Sequence, residues 1–320
     1  MHTSAFFKLF PPPKFMVMKY AGLDISDDAI RCLEYSIGAD HSIQKYAMTE
    51  IPEGIMTGGD IKNEKQLLTI LSEFDKKNNL EYVKVSIPEE KAYLFQTDVP
   101  STDIHAIEQN IEFKLEENVP LSGKDAVFSF DILPVSVTAG ALRVSVSVVP
   151  RTYIEHYIAL LRSADIFPVA FEVVPKAIAR AIIPPHVRHA VMVVHIMSLK
   201  TGIYLILGGV VCFTSTIAWG SHSPSDEHSD ISLLTKEISR IHEYWATHSS
   251  TDFPLGSLML VGRDAPSYEN ALRTVVADIH LSMTVASVWQ NSFSLDEYVP
   301  PIAQGDSLDY AVAAGLAMDA

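Results

Sequence analysis

Residues 22–31 have the sequence GLDISDDAIR, an apolar strand that runs into a tight polar turn. The turn separates a strand predicted over 16–23 from a second one predicted over 29–37. Glycines and hydroxyls at such a turn let backbone N–H groups approach an anion such as a phosphate. This turn instead holds two extra carboxylates, Asp27 and Asp28, which repel an anion. The stretch therefore predicts a phosphate-loop scaffold whose ligand chemistry is in doubt.

The N-terminal strands belong to a trio that is repeated later in the chain. The predicted strands are 16–23, 29–37 and 42–50 in the first copy, and 190–196, 202–207 and 210–217 in the second. The repetition extends to single residues, since Gly22–Ile25 aligns with Val193–Ile196. Two copies of one strand order predict two lobes that are built on the same plan.

A segment with a different order of predicted strands and helices separates the two copies. The first copy continues with an amphipathic helix over 65–78 and a short buried strand over 82–87. The predicted elements that follow are strand 91–99, helix 103–118, strands 126–133 and 142–149, helix 152–164 and strand 168–174. Their order predicts a compact α+β insert. The remaining predicted elements are helices at 175–182, 233–248, 268–279 and 307–318, and a strand at 257–261.

Composition excludes several classes of function. The chain has 48% hydrophobic and 20% charged residues, as in ordinary globular proteins. Its formal net charge of −15 opposes binding to nucleic acid or to anionic lipid. The two cysteines fall in apolar strands and predict no disulfide, which indicates a reducing cytoplasm. The long apolar stretch 190–217 is interrupted by His195 and Lys200, so we expect buried strands and no transmembrane helix.

Short stretches spread along the chain resemble the PilM family, the cytoplasmic actin-like component of type IV pilus assembly and a relative of FtsA. The resemblance covers about residues 6–320. It is carried by KLFP at 8–11, GLDI at 22–25, VSIP at 85–88, IEFKLEENVP at 111–120, VVPKA at 173–177, EISR at 237–240, LVG at 260–262 and YAVAAGLA at 310–317. It implies an α/β, actin-like (ribonuclease-H-like, duplicated) ATPase fold with an α+β insert of the SHS2 type.

The resemblance also sets domain boundaries. A flexible leader is expected at 1–15, and the first actin-like subdomain at 16–88, completed by 175–188 and 308–320. The α+β insert is expected at 89–174. The second actin-like lobe is expected at 189–307, with a shortened subdomain at 221–257, where relatives have a longer helical roof.

Family members usually hold ATP with Mg²⁺ between their lobes, in glycine-rich turns. Here Gly22 and Asp24 match the first turn, Arg31 holds its basic position, and Ser26 replaces its second glycine. The second turn, Asp-Ile-Gly in the family, is HIM at 195–197 here, and the third, Gly-Gly in the family, is Gly262-Arg263. The predicted remnants of a degenerate nucleotide site are Gly22, Asp24, Ser26, Arg31, Gly262 and Arg263. ATP with Mg²⁺ stays the implied but doubtful cofactor.

Three other constellations carry weaker signals. The pair His242-Glu243 would begin an HExxH zinc motif, but position 246 is alanine, and no metal site is predicted. The carboxylates Asp24, Asp27 and Asp28 have three interpretations: a cation site, an acid–base pair, or side chains of a turn that faces solvent. We favour the solvent-facing turn. An acidic stripe on helix 103–118 is either a solvated helix face or one side of a peptide groove that binds a basic tail. Its members are Glu108, Glu112, Glu116 and Glu117, of which the first three are the predicted groove residues.

The function that the resemblance implies is that of a cytoplasmic scaffold at the inner face of the cell membrane. It would bind the N-terminal tail of a PilN-like inner-membrane protein, in a groove between the first actin-like subdomain and the insert. The eroded turns favour a scaffold over an enzyme. Two alternatives stay open: an active actin-fold ATPase or sugar kinase, and a self-associating, FtsA-like filament former.

Overall fold

The computed structural model describes residues 18–36, 42–100, 103–135, 137, 140–222, 230–248 and 253–318. The leader expected at 1–15 lies outside them. The strands are β1 Ala21–Ile25, β2 Ala29–Tyr35, β3 Ile43–Glu50, β4 Met56–Thr57, β5 Asp60–Ile61, β6 Tyr82–Ile87, β7 Tyr93–Pro100, β8 Ala126–Ile132, β9 Ala141–Pro150, β10 Phe167–Val173, β11 Ala190–Ile196, β12 Thr201–Leu207, β13 Val210–Ile217, β14 Leu255–Val261 and β15 Ser282–Val285. The α-helices are α1 Glu64–Asn78, α2 Ile104–Asn118, α3 Arg151–Ser163, α4 Val174–Ile182, α5 Asp230–His248, α6 Ala265–Asp278, α7 Gln304–Ser307 and α8 Ala311–Ala317.

The first lobe is built on a five-stranded sheet in the order β10-β6-β1-β2-β3. Strands β1, β2 and β3 are antiparallel neighbours, whereas β6 and β10 run parallel to β1. The central strand β1 is buried along its whole length, while the edge strand β3 buries alternate residues at most. Helix α1 packs on this sheet through Leu67, Leu71 and Phe74, the periodic apolar positions of its sequence.

The second lobe repeats this plan, which confirms the duplication predicted from the sequence. Its sheet has the order β13-β12-β11-β14-β15, with three antiparallel strands followed by parallel ones. Helices α5 and α6 cover one face of the sheet. The other face packs on α4 and α8, which lie between the two lobes.

Glycine allows the interlobe helix α8 to approach its neighbours closely. A Cβ atom at Gly315 would lie 1.8 Å from the carbonyl oxygen of Ala177 on α4. On the opposite side, a Cβ atom at Gly22 of β1 would lie 2.0 Å from the carbonyl oxygen of Ala313. The small residues predicted near the C-terminus thus let α8 sit tightly between strand β1 and helix α4.

The insert is smaller than the sequence boundary of 89–174. It contains the three-stranded sheet β7-β9-β8 with α2 packed on one face. Strand β10 pairs with β6 in the first sheet, and α3 joins the core of the first lobe through Tyr157, Leu160 and Leu161. The chain therefore returns to the first lobe near residue 151, because α3 and β10 bury their apolar faces there.

Within the described part of the chain, no helix combines the length and the apolar character needed to cross a membrane.

Candidate functional site

A cleft between the lobes brings the three predicted turns together. The turn β1–β2 faces the turn β11–β12, and the loop after β14 closes one end. The cavity between them measures about 390 Å³. Asp24, Ser26, Arg31, Gly262 and Arg263 all line it, so five of the six predicted nucleotide-site residues meet at one place. Gly22 is not among the lining residues, and its Cα faces α8.

Asp24 is a buried carboxylate at the floor of the cleft. Burial raises the pKa of Asp24, and the nearby Arg31 guanidinium and Ser86 hydroxyl oppose that rise. The Ser86 hydroxyl oxygen also accepts a hydrogen bond of 3.1 Å from the backbone N–H of Ile25. Asp24 is therefore held by this chain's own groups at the end of β1.

Asp27 points inward, whereas Asp28, whose side chain is 36% exposed, reaches toward the second lobe, so the expectation of a solvent-facing turn is wrong for Asp27. Asp27 accepts hydrogen bonds of 2.9 Å each from the backbone N–H groups of Gly58 and Gly59. The same carboxylate lies 3.3 Å from the Lys200 ammonium of the second lobe, and its side chain is only 13% exposed. Unpaired backbone donors and a lysine attract a carboxylate out of water, which explains its direction.

Asp28 makes a second contact across the cleft. Its carboxylate accepts hydrogen bonds from the hydroxyl of Ser198 on the second lobe, at 2.5 Å, and from that of Ser26, at 2.6 Å. Burial alone would raise the pKa of Asp28, but the charge of Arg31 and these two hydroxyls bring it below its usual range. Asp28 is thus held ionised in the turn where a phosphate-binding site needs donors.

In the second turn, the positions that would match the family's Asp-Ile-Gly hold neutral groups, although Lys200 at the end of the same turn is charged. Burial lowers the pKa of His195 to about 3, so its imidazole is neutral at physiological pH. Met197 lines the cavity, and its backbone N–H donates to the carbonyl of Lys200 at 3.0 Å. That amide is consequently used within the turn.

The third turn is tied to the C-terminal end of the chain. The Arg263 guanidinium lies 2.8 Å from the carboxylate of Asp309, which also accepts the backbone N–H of Arg263 at 3.2 Å. The same carboxylate is 3.6 Å from Arg31. Gly262 has a φ of +108°, and an added Cβ would lie 2.0 Å from the carbonyl oxygen of Ile196. This glycine is needed for close approach of the chain to β11.

Four further cleft residues were missed at the sequence level: Glu89, Ser198, Lys200 and Asp309. Lys200 lies between Asp27 and Glu90, at 2.5 Å from the latter, and these carboxylates with Glu89 raise the pKa of Lys200 although burial lowers it. Glu89 is buried, accepts a hydrogen bond of 2.8 Å from the Tyr204 hydroxyl, and has a pKa raised by burial. The only signal for Lys200 was a charge interrupting an apolar stretch.

The predicted acidic stripe lies on the exposed face of α2. Glu108, Glu112 and Glu116 are solvent-exposed, while Ile107, Ile111 and Leu115 bury the opposite face against the sheet of the insert. Phe113, next to Glu112, is 82% exposed. These residues line neither the interlobe cleft nor the groove described next.

A groove of about 590 Å³ with mixed polar and apolar lining lies between the insert and the second lobe. The peptide groove was expected elsewhere, between the first actin-like subdomain and the insert. Hydrogen bonds join the two sides, from the Gln96 amide to the Cys212 carbonyl at 3.0 Å and from the Ser145 hydroxyl to the Val211 carbonyl at 2.6 Å. Its apolar and aromatic lining includes Leu94, Leu207, Phe213, Tyr244, Trp245 and Phe253.

Among the residues that the structure describes, no group of three or more histidine, cysteine, aspartate or glutamate side chains is arranged to hold a metal ion.

Two sheets of identical strand order, helices packed between them and facing turns in the cleft define the actin-like class of folds. Residues 22–231 match the family described as type IV pilus assembly protein PilM. The chain belongs to this family.

One solved structure agrees with this assignment at the level of fold, and two weaker matches are given beside it. A PilM–PilN type IV pilus biogenesis complex matches with a TM-score of 0.75 and 18% identity, over 95% of this chain and 98% of that one. The cytoplasmic domain of EpsL, an inner-membrane component of the type II secretion system of Vibrio cholerae, matches with a TM-score of 0.48, 12% identity and coverage of 92% and 94%. The ethanolamine utilization protein EutJ of Carboxydothermus hydrogenoformans matches with a TM-score of 0.46 and 14% identity, over 96% of this chain and 90% of that one. No curated protein sequence matches significantly.

Proposed function

We propose that this chain is a scaffold of type IV pilus assembly that works without nucleotide hydrolysis. In this proposal it acts in the cytoplasm, at the inner face of the cell membrane, by binding the N-terminal tail of a PilN-like protein. The observation that carries the loss of nucleotide chemistry is that the donors of the cleft are bound to the chain's own carboxylates.

Mg-ATP fits these residues poorly. Two donors that line the cleft are already taken, the Ser198 hydroxyl by Asp28 and the backbone N–H of Arg263 by Asp309. Arg31 and Arg263 likewise face carboxylates of the same chain. A triphosphate would have to displace these pairs. Its negative charge would then lie beside carboxylates that have lost their partners, and the repulsion is costly in a partly enclosed site. Met197 adds a side chain at a turn where close approach of the backbone would be required.

Thermal unfolding with and without Mg-ATP tests this part of the proposal. A ligand at 100 times its dissociation constant adds about 2.7 kcal/mol of stability. We expect no shift of the unfolding temperature at millimolar Mg-ATP. A clear rise that disappears in Asp24→Asn, with Mg²⁺ alone as the control, would sink the degenerate-site proposal and favour the ATPase alternative.

The partner is proposed from the family and from the surface of α2. The solved relative is described as a complex with PilN. In this chain α2 presents Glu108, Glu112 and Glu116 beside the exposed Phe113. Such a face suits a tail that combines basic side chains with an apolar anchor, because the anchor would bury Phe113 while the charges pair at the rim.

A pull-down with a PilN-like cytoplasmic tail tests the partner and the surface together. We expect Glu112→Lys/Glu116→Lys and Phe113→Ser to lose the tail. The control is Glu243→Lys on α5, which reverses one exposed charge on another helix and is compared with the single variants Glu112→Lys and Glu116→Lys. Retention of the tail by both α2 variants would move the binding surface elsewhere, and failure of the unmodified chain to bind would reject the scaffold proposal.

A further inference from the structure

We propose that the interlobe cleft is held closed by a built-in bridge, formed by Asp27, Asp28 and Glu90 on one side and Ser198 and Lys200 on the other. The bridge takes over the role that a ligand bound between two lobes would otherwise have. This inference rests on the proposal that nucleotide does not occupy the cleft.

The first half of the bridge is an ion-pair junction. Lys200, in the turn between β11 and β12, lies 3.3 Å from Asp27 of the first lobe and 2.5 Å from Glu90 at the start of the insert. One ammonium thus joins three parts of the molecule. Asp27 is fixed in turn by the backbone N–H groups of Gly58 and Gly59. The carboxylate therefore need not be ordered when the lobes meet, which lowers the entropic cost of the contact.

The second half is the hydrogen bond from the Ser198 hydroxyl to Asp28, at 2.5 Å. A hydroxyl that donates to an ionised carboxylate forms a short, charge-assisted hydrogen bond. Ser26 supports the same carboxylate from its own turn, at 2.6 Å. Asp28 is therefore oriented toward the second lobe by its neighbours before it meets Ser198.

Partial burial makes these contacts stronger than ordinary surface pairs. The Lys200 side chain is 14% exposed and that of Glu90 23%. Isolated, exposed ion pairs contribute little, but several charges that form a network with restricted access to water are screened less. The bridge crosses the cleft between the turn β1–β2, which carries Asp27 and Asp28, and the turn β11–β12, which carries Lys200.

A consequence is that the separation of the lobes does not depend on nucleotide. A ligand shifts a conformational equilibrium only by its different affinity for the two states. If the closed arrangement is already favoured by the bridge, Mg-ATP has no open state to close. A docked partner would then meet the two lobes and the α+β insert in one fixed arrangement.

Distance measurements across the cleft test the bridge. Nitroxide labels are placed at the exposed positions Glu53→Cys and Asn270→Cys, one in each lobe of the full chain. The native cysteines Cys32 and Cys212 are buried and give little background labelling. We expect one narrow distance distribution, unchanged by Mg-ATP, that becomes longer and broader in Lys200→Met/Asp28→Ala. The matched control is Arg143→Met, which removes the 2.7 Å ion pair with Asp98 inside the insert.

Other outcomes decide against the bridge. A distribution that is already broad in the unmodified chain, or one that Lys200→Met/Asp28→Ala leaves unchanged, overturns it. Should that variant fail to fold, the single changes Ser198→Ala and Lys200→Met replace it, because each removes contacts that cross the cleft. No change in either then overturns the bridge. Tail capture is measured separately, so loss of the bridge and loss of the partner are distinguishable.

Discussion

Gly22, in the buried strand β1, provides a test of the close packing between this strand and helix α8. In Gly22→Ala, the added Cβ would lie 2.0 Å from the Ala313 carbonyl oxygen, 2.8 Å from the Ala317 nitrogen and 2.9 Å from the Leu316 Cβ. An ordinary contact needs at least 3.4 Å, so α8 would have to retreat by about 1.4 Å.

That retreat is blocked on the other side of the helix. Gly315 faces the backbone of Ala177, and a Cβ atom added to Gly315 would lie only 1.8 Å from the Ala177 carbonyl oxygen. Overpacking of a core costs typically 1–3 kcal/mol, and we expect Gly22→Ala to fall near the upper end, at about 3 kcal/mol. Such a loss lowers the folding equilibrium constant by about two powers of ten.

Urea unfolding followed by far-UV circular dichroism measures the loss. With a slope of about 3 kcal/mol per molar, the midpoint should fall by about 1 M. Gly305→Ala is the matched control, since a Cβ there meets nothing within 4 Å. If Gly22→Ala loses no more stability than Gly305→Ala, then the close approach of β1 and α8 is not what requires glycine at this position.

The remaining predictions concern buried titratable groups. Burial raises the pKa of Glu89, so its contribution to stability is greatest below the unfolded pKa and falls as pH rises through the folded pKa; Glu89→Gln should therefore gain stability relative to the unmodified chain from about pH 4.5 upward, as measured by urea midpoints at several pH values. The imidazole of His195, with its pKa near 3, should not titrate between pH 8 and 4.5 by proton NMR, and a midpoint near 6.5 would contradict its burial. Burial raises the pKa of Cys32 and of Cys212 to about 12, so Ellman's reagent should react with neither thiol at pH 8 until urea unfolds the chain; fast labelling of either one in the native state would contradict its placement.

Most long elements were predictable because their patterns are local. The apolar spacing of residues 65–78 predicts α1 within one residue of its observed start, and the alternation of residues 142–149 predicts β9. The hairpin β4–β5 and strand β15 were missed, since strands of two to four residues carry no measurable period.

The extent of the insert shows where local patterns stop being sufficient. The sequence predicted α3 and β10 as elements but assigned both to the insert. Which sheet a strand joins depends on its partner, and β10 pairs with β6, about 80 residues earlier in the chain. The aromatic and aliphatic residues of α3 then complete the core of the first lobe.

The duplicated strand order could be predicted from apolar periodicity, and the groups at the three turns could be read from residue types. The family was indicated by the resemblance of short stretches along the chain. None of these inferences depends on distant contacts. Only the tertiary structure decided the direction of Asp27 and Asp28. Nothing local distinguishes a carboxylate that faces water from one that reaches Gly58, Ser198 or Lys200. Those donors come from other elements, up to 173 residues away, and their charge and N–H and O–H groups hold Asp27 out of water and turn Asp28 toward the second lobe.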